Sequence, residues 1–413
     1  MQKTPKSLRL QIAIFGRMNV GKSSFLNYIS GQDVAITSPI PGTTTDIVEK
    51  PMELLPIGPV VFIDTAGLDD TSELGTERIK KANKAFDRAD IVTIICEAGK
   101  WGEDEEKIVS EAKRRNIASV IVVNKVDIDP PSPEFIEKLK ESGKVIECSC
   151  TIPEQRESVR GAYKAALIEN CPDDYITPPP LVGDLLNPGD TCLLIVPIDL
   201  QAPKSRLILP QVHTIRDTLD SDCASIVVKE TDYLKMLANL KNPPDLVICD
   251  SQVVDRMVKE TPDGVCCTTF SILFSRLKGD MEQFARGTAA IDKLKSGDKI
   301  LIAEACSHHA TKDDIGRIKI PKWLQKYLGY DLDIEVYAGR DYPENLNEFK
   351  LVIHCGSCML NRRETLARMQ QAQQAGVPVT NYGMCISYTQ GVLERVLSPF
   401  PEALEAFKEE INK

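Results

Sequence analysis

Two groups of residues in this chain combine side-chain types and spacings that can do chemistry. The first is Gly16-Arg17-Met18-Asn19-Val20-Gly21-Lys22-Ser23, a G-x-x-x-x-G-K-S run set between an apolar stretch and a helical pattern. Glycines at 16 and 21 let backbone N–H groups wrap phosphate oxygens, Lys22 reaches the β- and γ-phosphates, and the Ser23 hydroxyl ligates magnesium. Ser24 stands beside it as a further nucleotide contact. Asp64-Thr65-Ala66-Gly67 fits D-x-x-G after a second apolar run. Asp64 there holds magnesium through water, and the Gly67 N–H senses a γ-phosphate. Asn124-Lys125-Val126-Asp127 fits N-K-x-D after a third. A carboxylate at Asp127 accepts hydrogen bonds from N1–H and N2–H₂ of guanine, donors that adenine does not offer. Ser149-Cys150 ends the next strand-like run, where a short guanine-contacting loop belongs.

The second group lies toward the C-terminal end. The chain has four histidines, and His308, His309 and His354 all fall within three residues of a cysteine. Cys306-Ser307-His308 follows one apolar run and His354-Cys355-Gly356-Ser357-Cys358 follows another. Both would sit at carboxyl ends of strands, the edge at which open α/β sheets bind ligands. A helix beginning after Cys358 would aim its positive N-terminal end there and favour thiolates. Three thiolates are one short of the set that closes an iron–sulfur cluster, and an open corner suits a site that receives or donates something. Zinc is as good a reading of cysteines with histidine at this spacing, and an unligated redox thiol cluster is a third. His308 and His354 are candidate ligands or residues that orient the ligands, with Asp313 and Asp314 behind them. No C-x-x-x-C-x-x-C run occurs, so the chain is not an ordinary radical-SAM enzyme.

These residues need a scaffold, and the pattern supplies one. Leu8–Phe15, Val60–Ile63, Ile91–Cys96, Val120–Val123 and Val145–Ile146 are short apolar runs. Amphipathic stretches such as Lys22–Ser30, Glu103–Arg115 and Ser132–Ser142 separate them. Such alternation predicts an α/β domain with a mainly parallel sheet over residues 1–172. The proline run ending Asp173-Asp174-Tyr175-Ile176-Thr177-Pro178-Pro179-Pro180 predicts a stiff, extended linker over 173–180. A second α/β block, 181–268, carries strands at Thr191–Pro197, Ala224–Val228 and Leu246–Cys249 and no phosphate loop. A third, 269–413, opens on one long helix over Ser271–Leu294, followed by strands at Lys299–Glu304, Ile334–Tyr337 and Leu351–Ile353.

The phosphate-loop, D-x-x-G, N-K-x-D and Ser149-Cys150 elements, in this order, resemble the TrmE–Era family of small GTPases. The fold class this implies is a P-loop GTPase domain with a mainly parallel sheet, followed by two further α/β domains. Pro41-Gly42-Thr43-Thr44-Thr45-Asp46 resembles the first switch of that family, with Thr44 completing the magnesium shell in the GTP state. Leu68 stands where Ras-like GTPases carry a glutamine that orients water, so intrinsic hydrolysis is expected to be slow. Asn19 matches an asparagine that in related GTPases helps bind potassium in place of an arginine finger, and the resemblance implies the same role here. Taken with the C-x-H and H-C-x-x-C segments, the whole chain resembles the HydF family of FeFe-hydrogenase maturation GTPases. That implies GTP/GDP, Mg²⁺ and K⁺ at the first site and a 4Fe-4S cluster on Cys306, Cys355 and Cys358. It also implies a carried diiron precursor, made with two radical-SAM maturases and delivered to apo FeFe-hydrogenase, and a middle domain that dimerises.

Composition narrows the alternatives. Hydrophobic residues make up 42% and charged residues 27%, ordinary for a globular chain, and the net charge is −10. That balance disfavours binding nucleic acid through a broad basic face, and hence a tRNA-modification-type GTPase with a structural zinc module. A redox-sensing regulatory GTPase is the other competing reading. No run of 18 apolar residues suits a membrane span, and the N-terminal residues carry no signal-peptide pattern. Thirteen cysteines in such a chain therefore read as cytoplasmic thiols or metal ligands rather than disulfides.

Overall fold

A computed structural model describes residues 4–31, 48–65, 75–198, 207–306 and 314–413. The chain forms two compact units, Met1–Pro178 and Pro179–Lys413.

Among the described residues the first unit holds six strands: β1 Leu10–Gly16, β2 Val48–Leu54, β3 Gly58–Asp64, β4 Ile91–Glu97, β5 Ala118–Asn124 and β6 Lys144–Glu147. They lie in the order β2-β3-β1-β4-β5-β6, all parallel except β2, which runs antiparallel to β3. Every residue of β1 is buried, as a strand covered on both faces requires. Side chains alternate between the faces. Leu10, Ile12 and Ile14 pack with Phe25 and Leu26 of the helix Lys22–Ser30 and with Tyr163 of the helix Arg156–Glu169. Ala13 and Phe15 pack the other way, on Phe86, Ile108 and Val109. β2 leaves no strand signal in the sequence. Pro51 and the charges at Glu49, Lys50 and Glu53 mask its periodicity, and an edge strand is where a proline is tolerated. The expected linker is also not extended throughout, because Asp173–Ile176 forms one helical turn.

The second unit contains β7 Thr191–Ile195, β8 Ala224–Val228, β9 Leu246–Cys249 and β10 Cys266–Thr269, in the parallel order β10-β9-β7-β8. It also contains β11 Lys299–Ala303, β12 Asp333–Tyr337, β13 Leu351–His354 and β14 Val379–Asn381, in the parallel order β12-β11-β13-β14. The two sheets share one continuous apolar core that includes Leu193 and Ile248 from the first and Ile302 and Val352 from the second.

The long helix expected over Ser271–Leu294 is broken in two. Phe270–Lys278 stops at Gly279, whose backbone is extended, and Asp280 starts Met281–Thr288 by accepting the Gln283 N–H at 2.9 Å. A glycine followed by an N-capping aspartate is a stop and a start signal, and the apolar pattern across it hid both. The second of these helices crosses β14 so closely that a Cβ on Gly287 would stand 2.0 Å from the Val379 carbonyl oxygen. Backbone cannot yield as a side-chain tip can, so Gly287→Ala is expected to cost about 2–3 kcal/mol. A urea unfolding midpoint that did not move would contradict this account of the crossing.

Candidate functional sites

The phosphate loop leaves the end of β1 and closes on the helix Lys22–Ser30. Gly21 has φ +95°, and a Cβ there would meet the Asn124 Nδ2 at 2.4 Å. Asn19 also takes a left-handed conformation, φ 60°. The Lys22 ammonium folds back onto the loop, donating to the Gly16 and Arg17 carbonyls at 2.9 and 2.8 Å. Those carbonyls hold it over the concavity in which phosphate oxygens would sit. Ser24 is exposed on the first turn of the helix.

Asp64, the last residue of β3, accepts a hydrogen bond from the Ser23 side chain and lies 3.6 Å from the Lys50 ammonium. Burial pushes its carboxyl up, and Lys50 and Lys22 work against that shift. Hydroxyl and carboxylate oxygens are the donors a hard divalent cation requires, so Ser23 and Asp64 fit magnesium.

N-K-x-D follows β5. Asn124 is buried and donates from Nδ2 to the Val20 carbonyl at 2.8 Å, tying this motif to the phosphate loop. Lys125, at φ 63°, donates to the Asn19 carbonyl at 2.7 Å and pairs with Glu97. Asp127 is exposed and accepts from the Ser149 hydroxyl and, at 3.1 Å, from Thr151. Those hydroxyls, Ser149 first, hold its carboxyl below the usual carboxylate range. It stays ionised and acceptor-only, as guanine recognition needs. Cys150 stands beside Ser149, its sulfur 3.7 Å from that of Cys148. Thr44, Gly67, Leu68, His308 and Asp313 lie outside the described residues.

Lys50, Glu97 and Thr151 join the site without belonging to any of the motifs legible in the sequence. Thr151 lies two residues beyond Ser149 and had a signal available, a second hydroxyl in the same loop. Lys50 and Glu97 had none, because cross-strand neighbours set their roles.

In the second unit β11 and β13 are parallel neighbours with Ala303 opposite His354. The chain beyond each therefore emerges side by side, carrying Cys306 from one and Cys355 and Cys358 from the other. The Ala305 N–H donates to the Cys355 sulfur at 3.0 Å. Burial, and after it the Cys355 thiol, pushes Cys306 up to about 11; burial and then Cys358 do the same to Cys355, and burial and then Cys306 to Cys358. The three thiols thus feel one another in a closed circuit. Among the described residues no three His, Cys, Asp or Glu side chains already stand as a metal site. What the structure supplies is the soft donor set, adjacent and protonated. His354 is fully buried, with its Nδ1 3.1 Å from the Ser357 hydroxyl and its Nε2 unpartnered among the described residues. Burial, with the Arg368 guanidinium second, pushes it down to about 3, so the ring is neutral. Asp314 is buried and caps the turn at Arg317 through a 2.8 Å bond.

A phosphate loop at the end of β1, a D-x-x-G aspartate at the end of β3 and an N-K-x-D run after β5, on a mainly parallel sheet, define a P-loop GTPase domain. Residues 11–125 match a family model described as 50S ribosome-binding GTPase. Residues 181–279 match the hydrogen maturase F dimerization domain and residues 282–399 the hydrogen maturase F tetramerization domain. The chain belongs to the HydF-type hydrogenase maturation GTPases. Over 127 residues it is 39% identical to the tRNA modification GTPase MnmE of Synechococcus sp. (strain JA-2-3B'a(2-13)), covering 30% of this chain and 26% of that protein. Over 144 residues it is 36% identical to GTPase Der of Persephonella marina, covering 34% and 32%. The chain therefore spans only about a quarter to a third of the length of these relatives. The crystal structure of a point variant of Aquifex aeolicus Era bound to GDP.AlF4- is similar with a TM-score of 0.34 and 18% identity, over 53% of this chain and 94% of that one.

Guanine selectivity is expected to rest on Asp127. A polar pocket rejects a base that leaves its groups unpaired, by about 10⁴ or more. Asp127→Asn should exchange preference for guanosine for preference for xanthosine nucleotides, read by competition binding. Unchanged GTP affinity in that variant would remove Asp127 from the base site.

Proposed function

We propose that this chain is a GTP-hydrolysing scaffold that binds a 4Fe-4S cluster, carries a diiron precursor and delivers the diiron unit to apo FeFe-hydrogenase. The observation that carries the reading is the emergence of Cys306, Cys355 and Cys358 from adjacent parallel strands, in the region that matches the tetramerization domain. Three cysteines leave one iron of a cluster without a thiolate, the corner at which a cargo could be held and released. His354, neutral and fully buried, suits a role in orienting ligands or cargo, and His308 is the second candidate. Two radical-SAM maturases and apo-hydrogenase are the partners this role requires.

At the nucleotide site Lys22 would trade its two loop carbonyls for β- and γ-phosphate oxygens. Gly16 and Gly21 leave room for the phosphates, Ser23 and Asp64 would hold magnesium, Thr44 would complete its shell, and the Gly67 N–H would sense the γ-phosphate. Magnesium, when bound, neutralises charge on the β- and γ-phosphates. Asn124 keeps the loop in register with the base site, and Asp127, Ser149 and Cys150 receive the guanine edge. Asn19 would bring potassium to the phosphates. Self-association is supported by the region matched to the dimerization domain. Val212 and Leu219, a helical repeat apart on Leu209–Asp220, are exposed there together with Val227 on the edge strand β8. Among the described residues no helix is long and apolar enough to cross a membrane.

Transfer of the diiron unit to apo-hydrogenase is the deciding assay, and its absence from the loaded protein would defeat the proposal. Cys306→Ala, Cys355→Ala and Cys358→Ala should each lose most bound iron after anaerobic reconstitution and abolish hydrogenase activation, while GTP turnover persists. A variant that kept its iron would strike that cysteine from the ligand set. GTP hydrolysis should run faster in potassium than in sodium salts, and Asn19→Ala should erase the difference while still binding nucleotide. Equal rates in both salts for the unsubstituted protein would refute the potassium site.

A further inference from the structure

Lys50 carries a positive charge into the place where magnesium chemistry is expected. It stands on β2 opposite Phe62, and Asp64 stands opposite Val48, so the two are diagonal neighbours on one face of the antiparallel pair. A lysine stem spans that diagonal, and the Lys50 ammonium lies 3.6 Å from the Asp64 carboxylate with both side chains below a tenth exposed. The contact is costly to build. Burial penalises the charge on each partner, and the other partner offsets it. Asp64 also accepts from Ser23, so the two groups that fit magnesium and the Lys50 ammonium meet at one carboxylate.

We infer that Lys50 is a built-in competitor of magnesium, a positioning residue that holds Asp64 when the metal is absent and weakens magnesium binding when nucleotide is present. A divalent cation arriving at Ser23 and Asp64 meets a fixed, poorly solvated positive charge bound to the same carboxylate. Their repulsion is not screened as it would be in water. To the extent that magnesium holds GDP in place, a weakened magnesium site shortens nucleotide residence. In the metal-free state the same lysine is the foremost of the groups, with Lys22 and Ser23, that offset the burial of Asp64. The inference rests on the magnesium site of the GTPase domain and is independent of the cysteine site.

The test is the magnesium dependence of release of a fluorescent GDP analogue from the full chain, with the affinity for that analogue in excess EDTA measured alongside. In Lys50→Met the magnesium concentration that half-maximally retains the analogue should fall about tenfold or more, while affinity in EDTA stays near that of the unsubstituted protein. A merely structural lysine would weaken both. A midpoint that is unchanged or higher in Lys50→Met overturns the inference. If Lys50→Met does not fold, Lys50→Gln, which can still hydrogen-bond Asp64, carries the same criterion. Lys50→Arg keeps the charge and should keep the original midpoint, and a tenfold tighter one would also overturn the inference.

Discussion

The nucleotide site hangs on one buried amide. Asn124 sits at the end of β5, and its Nδ2 donates to the Val20 carbonyl across the strand ends. The same nitrogen occupies the space that a side chain on residue 21 would need. Gly21 is therefore glycine for two reasons that act together, its left-handed φ and the amide pressed against it. With Val20 fixed, the loop keeps its concave form although Lys22 is satisfied by the loop's own carbonyls. Lys125 repeats the tie one residue later by donating to the Asn19 carbonyl. The N-K-x-D segment and the phosphate loop are thus tied at two successive carbonyls, because the parallel sheet brings the ends of β1 and β5 to the same edge.

That dependence explains what could be read from the chain alone. The phosphate loop, Asp64, the N-K-x-D run and Ser149 are local motifs, and strand–helix alternation places each at a strand end. Lys50 and Glu97, by contrast, take their meaning from pairing across the sheet. Lys50 looks like a solvated charge in a broken pattern until β2 lies antiparallel to β3 and carries it to Asp64. Glu97 looks like the polar end of β4 until Lys125 reaches it. The split of the helix after β10 was hidden differently. Gly279 and Asp280 were visible as residues, but the apolar spacing on both sides reads as one helix, and only burial against β14 shows that the second segment has turned to cross it.

The two candidate sites solve opposite electrostatic problems. The nucleotide site gathers charge beside partners already present: Asp127 is held down by hydroxyls, and Asp64 is compensated by lysines. The cysteine site gathers groups that each oppose ionisation of the others. Its thiols are raised by burial and then by one another, with no described cation first among their influences. Three sulfurs brought together only to repel one another as thiolates would be a poor use of buried space. They become mutually stabilising once a soft cationic centre replaces their protons, since metal binding releases those protons and its free energy becomes folding free energy for the segments that supply the ligands. Cys306, Cys355 and Cys358 lie beyond the last paired residues of β11 and β13, so the sheet fixes where their segments start. The strand ends supply proximity, and a bound centre of the kind proposed would supply the final geometry.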